Sequence, residues 1–227
     1  MIYNVALYFI LNDWRGPNVT GGPEQEVFRR GILNFFSLAG MYAINFLSLA
    51  LGALLAADTL AGEIGSGAVQ TIVTKPIARW HVVAGKWLGF ALMLAVYQLA
   101  MDAGVAIGMW LQANYVIVGL AQGLPLIFLI SLIVMSVTLM CSSRLSALAT
   151  GGIIFGMYGL GFIGSMVEQV GAILQNQTAI NIGIFSSLVV PTEAIWRRAA
   201  FEMSSALTQS IGSVTPLSGL GSPPSPL

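Results

Sequence analysis

Apolar residues along this chain fall into long uninterrupted runs, and polar residues fall into the short stretches between them. No charged side chain occurs between Arg30 and Asp58, between Asp102 and Arg144, or between Arg144 and Glu168. Each gap leaves room for an apolar helix of about 20 residues, the length that crosses a hydrocarbon core of about 30 Å. A lone apolar segment in lipid must satisfy its own backbone hydrogen bonds, so the runs are read as helices. The spans predicted are 35–57, 87–110, 119–141 and 145–167. Trp80, Trp87, Trp110 and Tyr115 lie close to their ends, where amphipathic rings favour the headgroup region.

The interruption Asp58–Lys86 differs in kind from the other connections. It carries five of the chain's charged residues: Asp58, Glu63, Lys75, Arg79 and Lys86. Within it Leu60, Ile64, Ala68 and Ile72 recur every four positions, which groups them on one side of a short amphipathic helix over 59–74. Pro76 lacks an N–H and has a fixed φ, so the helix is expected to break at Lys75–Pro76 before the chain re-enters the membrane. Gly62, Gly65 and Gly67 each weaken an isolated helix by about 1 kcal/mol relative to alanine. Packing against the bilayer surface or another protein must therefore hold it, and on pattern alone an interfacial linker also fits.

Three regions follow: an external N-terminal segment, 1–34; a transmembrane region, 35–167, with its loop 58–86; and an external segment, 168–227. The last holds an amphipathic helix in "PTEAIWRRAAF", whose Thr192 can cap and whose Ile195, Phe201 and Trp196 are expected either to rest on the outer membrane surface or to cover the exit of a pathway, with Arg197 and Arg198 as solvated charges or near anionic headgroups. It ends in a Ser/Pro/Gly tail without packing potential.

Composition agrees with a membrane protein. Hydrophobic residues make up 56% of the 227 and charged residues 8%, against about 25% charged in ordinary soluble domains, so the chain cannot cover a water-facing surface. Mean hydropathy is +0.84. Lys75, Arg79, Lys86 and Arg144 collect on one side, which the positive-inside rule assigns to the cytoplasm. An even number of spans then puts both ends outside. Zero net charge without a basic run gives no nucleic-acid footprint. Cys141 stands alone, so there is no intrachain disulfide, and His81 stands alone, which excludes two-histidine zinc motifs and a Ser-His-Asp triad. No GxxxxGK[ST] phosphate loop occurs, so the chain is not expected to be an enzyme or to hold a cofactor.

Two intramembrane features stand out. Asp102 lies sixteen residues after Lys86, about 24 Å along a helix, and Gln98 one turn earlier shares its face. Intramembrane carboxylates are costly and face a bundle interior or a wet path. Substrate contact, proton coupling, and a hydrogen bond to Ser131, Ser136 or a neighbouring subunit all fit. Gly152, Gly156 and Gly164 lie at multiples of four and form a small-residue face, suited equally to packing inside one subunit and to a dimer contact.

Taken in order, Gly62, Glu63, Gly67, Lys75, Pro76, Ile77, Arg79, Gly85 and Lys86 resemble the cytoplasmic loop of ABC-type export permeases of the type-2 integral membrane family. Looser resemblance extends over 35–167, and "VVPTEAIWRRAAF" is similar to the external segment before that family's last span. The resemblance implies an all-α polytopic permease that pairs with itself or a similar subunit and docks a cytoplasmic ABC ATPase. Gly62, Glu63, Ile64, Gly67, Val69, Ile72, Lys75, Pro76 and Arg79 would form the coupling element, with Glu63, Lys75 and Arg79 facing the ATPase and Ile64, Val69 and Ile72 filling its groove. Such permeases usually have six spans and this chain shows four, so either one flanking span is missing at each end or the protein is a shorter one. The function expected is the transmembrane subunit of an ATP-driven exporter in the inner (plasma) membrane. Two rivals stand beside it, a secondary transporter using Asp102 and a membrane assembly factor that transports nothing.

Overall fold

The computed structural model describes residues 3–5, 8–9, 23–65 and 79–204. Six helices carry the described chain: α1 Pro23–Gly65, α2 Arg79–Ala113, α3 Leu120–Ser142, α4 Ala147–Ile173, α5 Gln177–Val189 and α6 Thr192–Met203. The first four contain stretches long and apolar enough to cross a membrane: Arg29–Thr59, Trp80–Ala113, Leu120–Ser142 and Ala147–Glu168. The protein is thus an all-α polytopic membrane protein, with four candidate spans among the described residues. The first two helices are longer than their apolar runs. At 1.5 Å per residue the 43 residues of α1 reach about 64 Å and the 35 of α2 about 52 Å. Neither contains a proline beyond the first position, so nothing in the chain interrupts their hydrogen-bond ladders.

The chain divides into two compact units; α1, α2, α3 and α6 each contribute to both, and α4 and α5 belong to the second. In the first unit, up to Ile44, Leu99–Leu126 and from Ile195, four close fits organise the packing. Tyr3 lays its ring where a Cβ on Gly40 would stand, and its hydroxyl donates to the carbonyl of Phe36 at 2.9 Å. The Asn4 side chain occupies the corresponding space at Gly108. The end of α2 is closed by Asn114 in the left-handed conformation (φ 49°), with Arg29 donating to the carbonyl of Ala113 at 3.0 Å. Gly119 (φ 67°) must be glycine twice over, since its backbone is left-handed and the carbonyl of Glu202 occupies the space of a Cβ.

In the second unit, Ala56, Leu94, Met135 and Leu139 form a core flanked by Leu51, Trp87, Phe90, Ala91, Phe128 and Leu132. Helices α1 and α3 run in the same direction here and α2 runs opposite. Trp87 bonds Ser136 while Gln98 bonds Ser131, so ascending numbers on α2 meet descending numbers on α3. After α4 the chain turns through Leu174–Asn176, with Gln175 at φ 52° and Asn176 accepting from the N–H groups of Thr178 and Ala179 to cap α5. Helix α5 then doubles back along α4. Gly183 meets Glu168, Gly164 meets Ser186, and Gly161 meets Val190. At Gly183 the contact is with the Glu168 backbone itself, an approach that small residues permit.

Large apolar side chains line the outside. Leu88, Leu92, Val96 and Leu99 on α2 are exposed, as are Ile153, Leu160, Ile163 and Met166 on α4. In water such a surface would aggregate, whereas in lipid it is the matched face.

Candidate coupling site and intramembrane polar groups

The segment singled out by its charges is approached from both sides by continuous helix. Gly62, Glu63 and Ile64 lie in the last turn of α1, and Arg79 opens α2. The short helix expected over 59–74 is therefore not a separate element in its first half. Thr59–Gly65 prolongs the first span, because the apolar spacing continues through Leu60 and Ile64 and no proline intervenes. Likewise 79–86 belongs to the second helix rather than to the loop. Gly67, Val69, Ile72, Lys75 and Pro76 lie outside the described residues. Gly62 is exposed, and the nearest atom to a Cβ built there is Asp58 Oδ1 at 3.3 Å.

Gln98 and Asp102 are buried on one face of α2, at 2% and 1% exposure. The hydroxyls expected to serve Asp102 serve other groups. Ser131 donates to Gln98 Oε1 at 3.5 Å, and Ser136 accepts from Trp87 Nε1 at 2.9 Å while donating to its own helix at Leu132. Trp87, expected in the headgroup belt, is drawn inward by that bond; Trp80 and Trp110 are exposed at the helix ends as belt residues should be.

The glycine face of α4 divides. Gly164 is covered by Ser186 of α5, whose hydroxyl also donates to the carbonyl of Leu160 at 3.1 Å, whereas Gly152 and Gly156 are exposed with open space in front of them. The segment after Pro191 corrects an expectation. Thr192 opens α6 rather than preceding it, and Trp196 (2% exposed), Arg197 (5%) and Glu193 (4%) are buried. Trp196 stacks edge-on against Tyr42 at 5.0 Å instead of lying on a membrane surface. Of the two arginines only Arg198 is exposed, and it pairs with Glu202 one turn on. The sequence reading assigned α6 an apolar side by residue type, but alanines at 199 and 200 are small enough to place the whole Trp196–Arg197 side against neighbours.

Sequence reasoning passed over one set of residues altogether. Asn34, Ser37, Asn45 and Ser48 on α1 are buried at 0–1% exposure. Their spacing of three, eight and three residues places them on one stripe, and that spacing was the available signal. Near the Asn34 end, Tyr115 in the connection after α2 donates to Asn34 Oδ1 at 3.3 Å. Burial raises the Tyr115 phenol above its ordinary value, and the charge of Arg30 opposes that rise.

The model of the ABC-2 family transporter proteins matches residues 17–218, nearly the full length, including α1 to α6. The chain belongs to the ABC-2 transporter family. Comparison with curated proteins and with solved structures returned no match. This permease is accordingly a multi-pass membrane subunit of the ABC-transporter type, whose family implies an ABC ATPase partner and a bilayer setting. The family is one of membrane transport subunits that are not themselves catalytic.

Proposed function

We propose that the permease moves its cargo outward across the inner (plasma) membrane, driven by ATP hydrolysis in a cytoplasmic ATPase that docks on the segment Gly62–Lys86. The observation that carries this reading is helix continuity. The last turn of α1 bears Gly62, Glu63 and Ile64, and the first turn of α2 bears Arg79, so both ends of the docking segment are prolongations of membrane helices. A displacement imposed on either helix end by a nucleotide-driven partner passes into its span as rigid-body motion. The basic residues Lys75, Arg79, Lys86 and Arg144 support a cytoplasmic location for this end. A second permease subunit, the same chain or a similar one, completes the assembly, and the open glycines Gly152 and Gly156 on the lipid-facing side of α4 support a close helix contact with it.

The deciding experiment is charge reversal at the dock. Glu63→Lys turns an attraction to the ATPase into repulsion and is expected to weaken co-purification by about 1.5 kcal/mol or more, at least about tenfold in affinity. Insertion and helicity should remain intact. Glu202→Gln, on an exposed pair of α6, is the control and should leave docking unchanged. Equal docking by wild type and Glu63→Lys, together with the same result for Ile64→Asp, would refute the coupling reading.

A further inference from the structure

One turn from the Gly52 level of the second unit lies a layer of a different chemistry. A Cβ built on Gly52 stands 3.2 Å from Leu94 and 3.7 Å from Met135, which fixes α1, α2 and α3 at one level. A step of four residues, about 6 Å, leads from Gly52 to Ser48, from Leu94 to Gln98 and from Met135 to Ser131. All three are polar and buried at 0–2%, and Asn45, one turn before Ser48 on the same stripe, is buried at 1%. An apolar layer is thus followed directly by a polar one.

The polar layer is under-matched. Gln98 Nε2, Ser48 Oγ and Asn45 Oδ1 have no hydrogen-bond partner among the described residues. The single bond across the layer, Ser131 to Gln98 at 3.5 Å, is long, and the Ser131 hydroxyl is shared with its own helix at the Ile127 carbonyl, 3.4 Å. Whichever way the Gln98 amide is turned, one end faces Ser131 and the other end is left over. Ser48 is also unlike its neighbours. Ser136 and Thr138 of α3 donate to the carbonyl four residues back at 2.7 Å, the ordinary solution for a hydroxyl on a membrane helix, and Ser48 does not. Amide and hydroxyl groups left over in a low-dielectric interior raise the free energy of this arrangement relative to one in which they meet a hydrogen-bonding guest.

We propose that the Ser48–Gln98–Ser131 layer, with Asn45, is an intramembrane binding site for a small hydrogen-bonding guest, either water or the polar part of the cargo, which enters when α1, α2 and α3 part during the transport cycle. In the arrangement described, the helices close over these groups; opening of the bundle is favoured here because it exchanges leftover donors and acceptors for satisfied ones. The apolar layer at Gly52, Leu94 and Met135 stays dry. Only the ATP-driven arm of the test rests on the function proposed above.

The test uses the full chain, co-purified with its ATPase in phosphatidylcholine nanodiscs, with Cys141→Ser as background. Ser48→Cys and Ser131→Cys are probed with an anionic methanethiosulfonate reagent, and Ala56→Cys in the apolar core is the control. A site closed at rest and open in turnover gives a labelling rate at least about tenfold higher with ATP than without nucleotide, while Ala56→Cys stays unreactive. A rise in phosphatidylcholine alone identifies the guest as water, and a rise only with native lipid extract identifies it as cargo. Unchanged rates in both membranes overturn the proposal. Gln98→Leu in the isolated permease needs no ATPase. It is expected to raise Tm by a few degrees, because it removes an unmatched amide from the interior. A lowered Tm means that Gln98 is a structural tie and overturns the proposal. Failure of wild type to bind any ATPase refutes the function proposed above and leaves this second measurement to decide the layer.

Discussion

Replacing Gly183 by alanine tests how the α4–α5 hairpin is held. A Cβ at position 183 would lie 2.9 Å from both the backbone nitrogen and the Cα of Glu168. Backbone on a packed helix cannot rotate away as a side-chain tip can, so the two helices must separate by several tenths of an ångström. In lipid, the apolar area that separation exposes is not penalised by water, and what is lost is close contact along the interface. Overpacking of this kind costs about 1–3 kcal/mol, and the upper half of that range applies because backbone is the obstacle. The helix propensity of alanine returns up to about 1 kcal/mol, leaving a net loss of about 1–2 kcal/mol. For a chain of this size that lowers Tm by roughly 2–8 °C. Gly152→Ala is the matched comparison: the same chemistry on the same pair's α4, with nothing within 4 Å of the new methyl. It gains the propensity term without the clash and should be neutral or slightly stabilising in the isolated chain. Thermal unfolding of both variants in nanodiscs, followed by near-ultraviolet circular dichroism, reads the difference. Equal Tm values for Gly183→Ala and Gly152→Ala would refute the argument that backbone contact at Glu168 requires glycine.

Trp87→Phe and Ser136→Ala each remove the 2.9 Å bond between α2 and α3, and a double-mutant cycle is expected to give a coupling of about 0.6 kcal/mol, as for other interhelical bonds in membranes. Glu202→Gln breaks an exposed pair on α6 and should change stability by no more than about 0.5 kcal/mol, an effect that vanishes in high salt. Tyr115 titrates above the ordinary value of 10.0, so its neutral form stabilises the fold fully below that value, and the contribution is lost as pH rises through the raised value. Absorbance titration of wild type against Tyr115→Phe should show one late phenol missing from the variant, and an equal number of late-titrating phenols in both would contradict the burial argument.

The four spans were legible because lipid imposes a simple rule, a long charge-free run closed on its own hydrogen bonds, and Phe35–Ala57 or Gly119–Cys141 obeys it on inspection. Helix ends were less legible. Nothing in the residues Thr59–Gly65 or Arg79–Lys86 marks where lipid stops, because a helix not interrupted by proline runs on past the bilayer. The inward turn of Trp196 and Arg197 was hidden because amphipathicity reports that a helix has two faces and not which one meets protein, and a buried arginine is recognised only with its surroundings known. Gln98 and Asp102 drew notice by being polar in an apolar run. Asn34, Asn45 and Ser48 escaped it because single small polar residues are common in membrane helices, and their shared stripe has meaning only once α1 has a partner on that side. The glycine pattern at 152, 156 and 164 was read as one face, and the structure shows why spacing misleads there: α5 arrives late in the chain and covers only part of it.

That late arrival bears on how the protein is made. Helix α5 has 13 residues, about 20 Å of helix, which is too short to be recognised as a span as it leaves the ribosome. Its glycine and serine sites on α4, at Glu168, Gly164 and Leu160, exist only after α4 has crossed the membrane. Synthesis order therefore becomes assembly order: α4 is threaded first, and α5 folds back onto it as a hairpin steered by the capped turn at Gln175–Asn176. A lesion at Gly183 would then be felt during biogenesis, as chains whose later segments fail to lodge and are cleared by membrane proteases, before any transport is attempted.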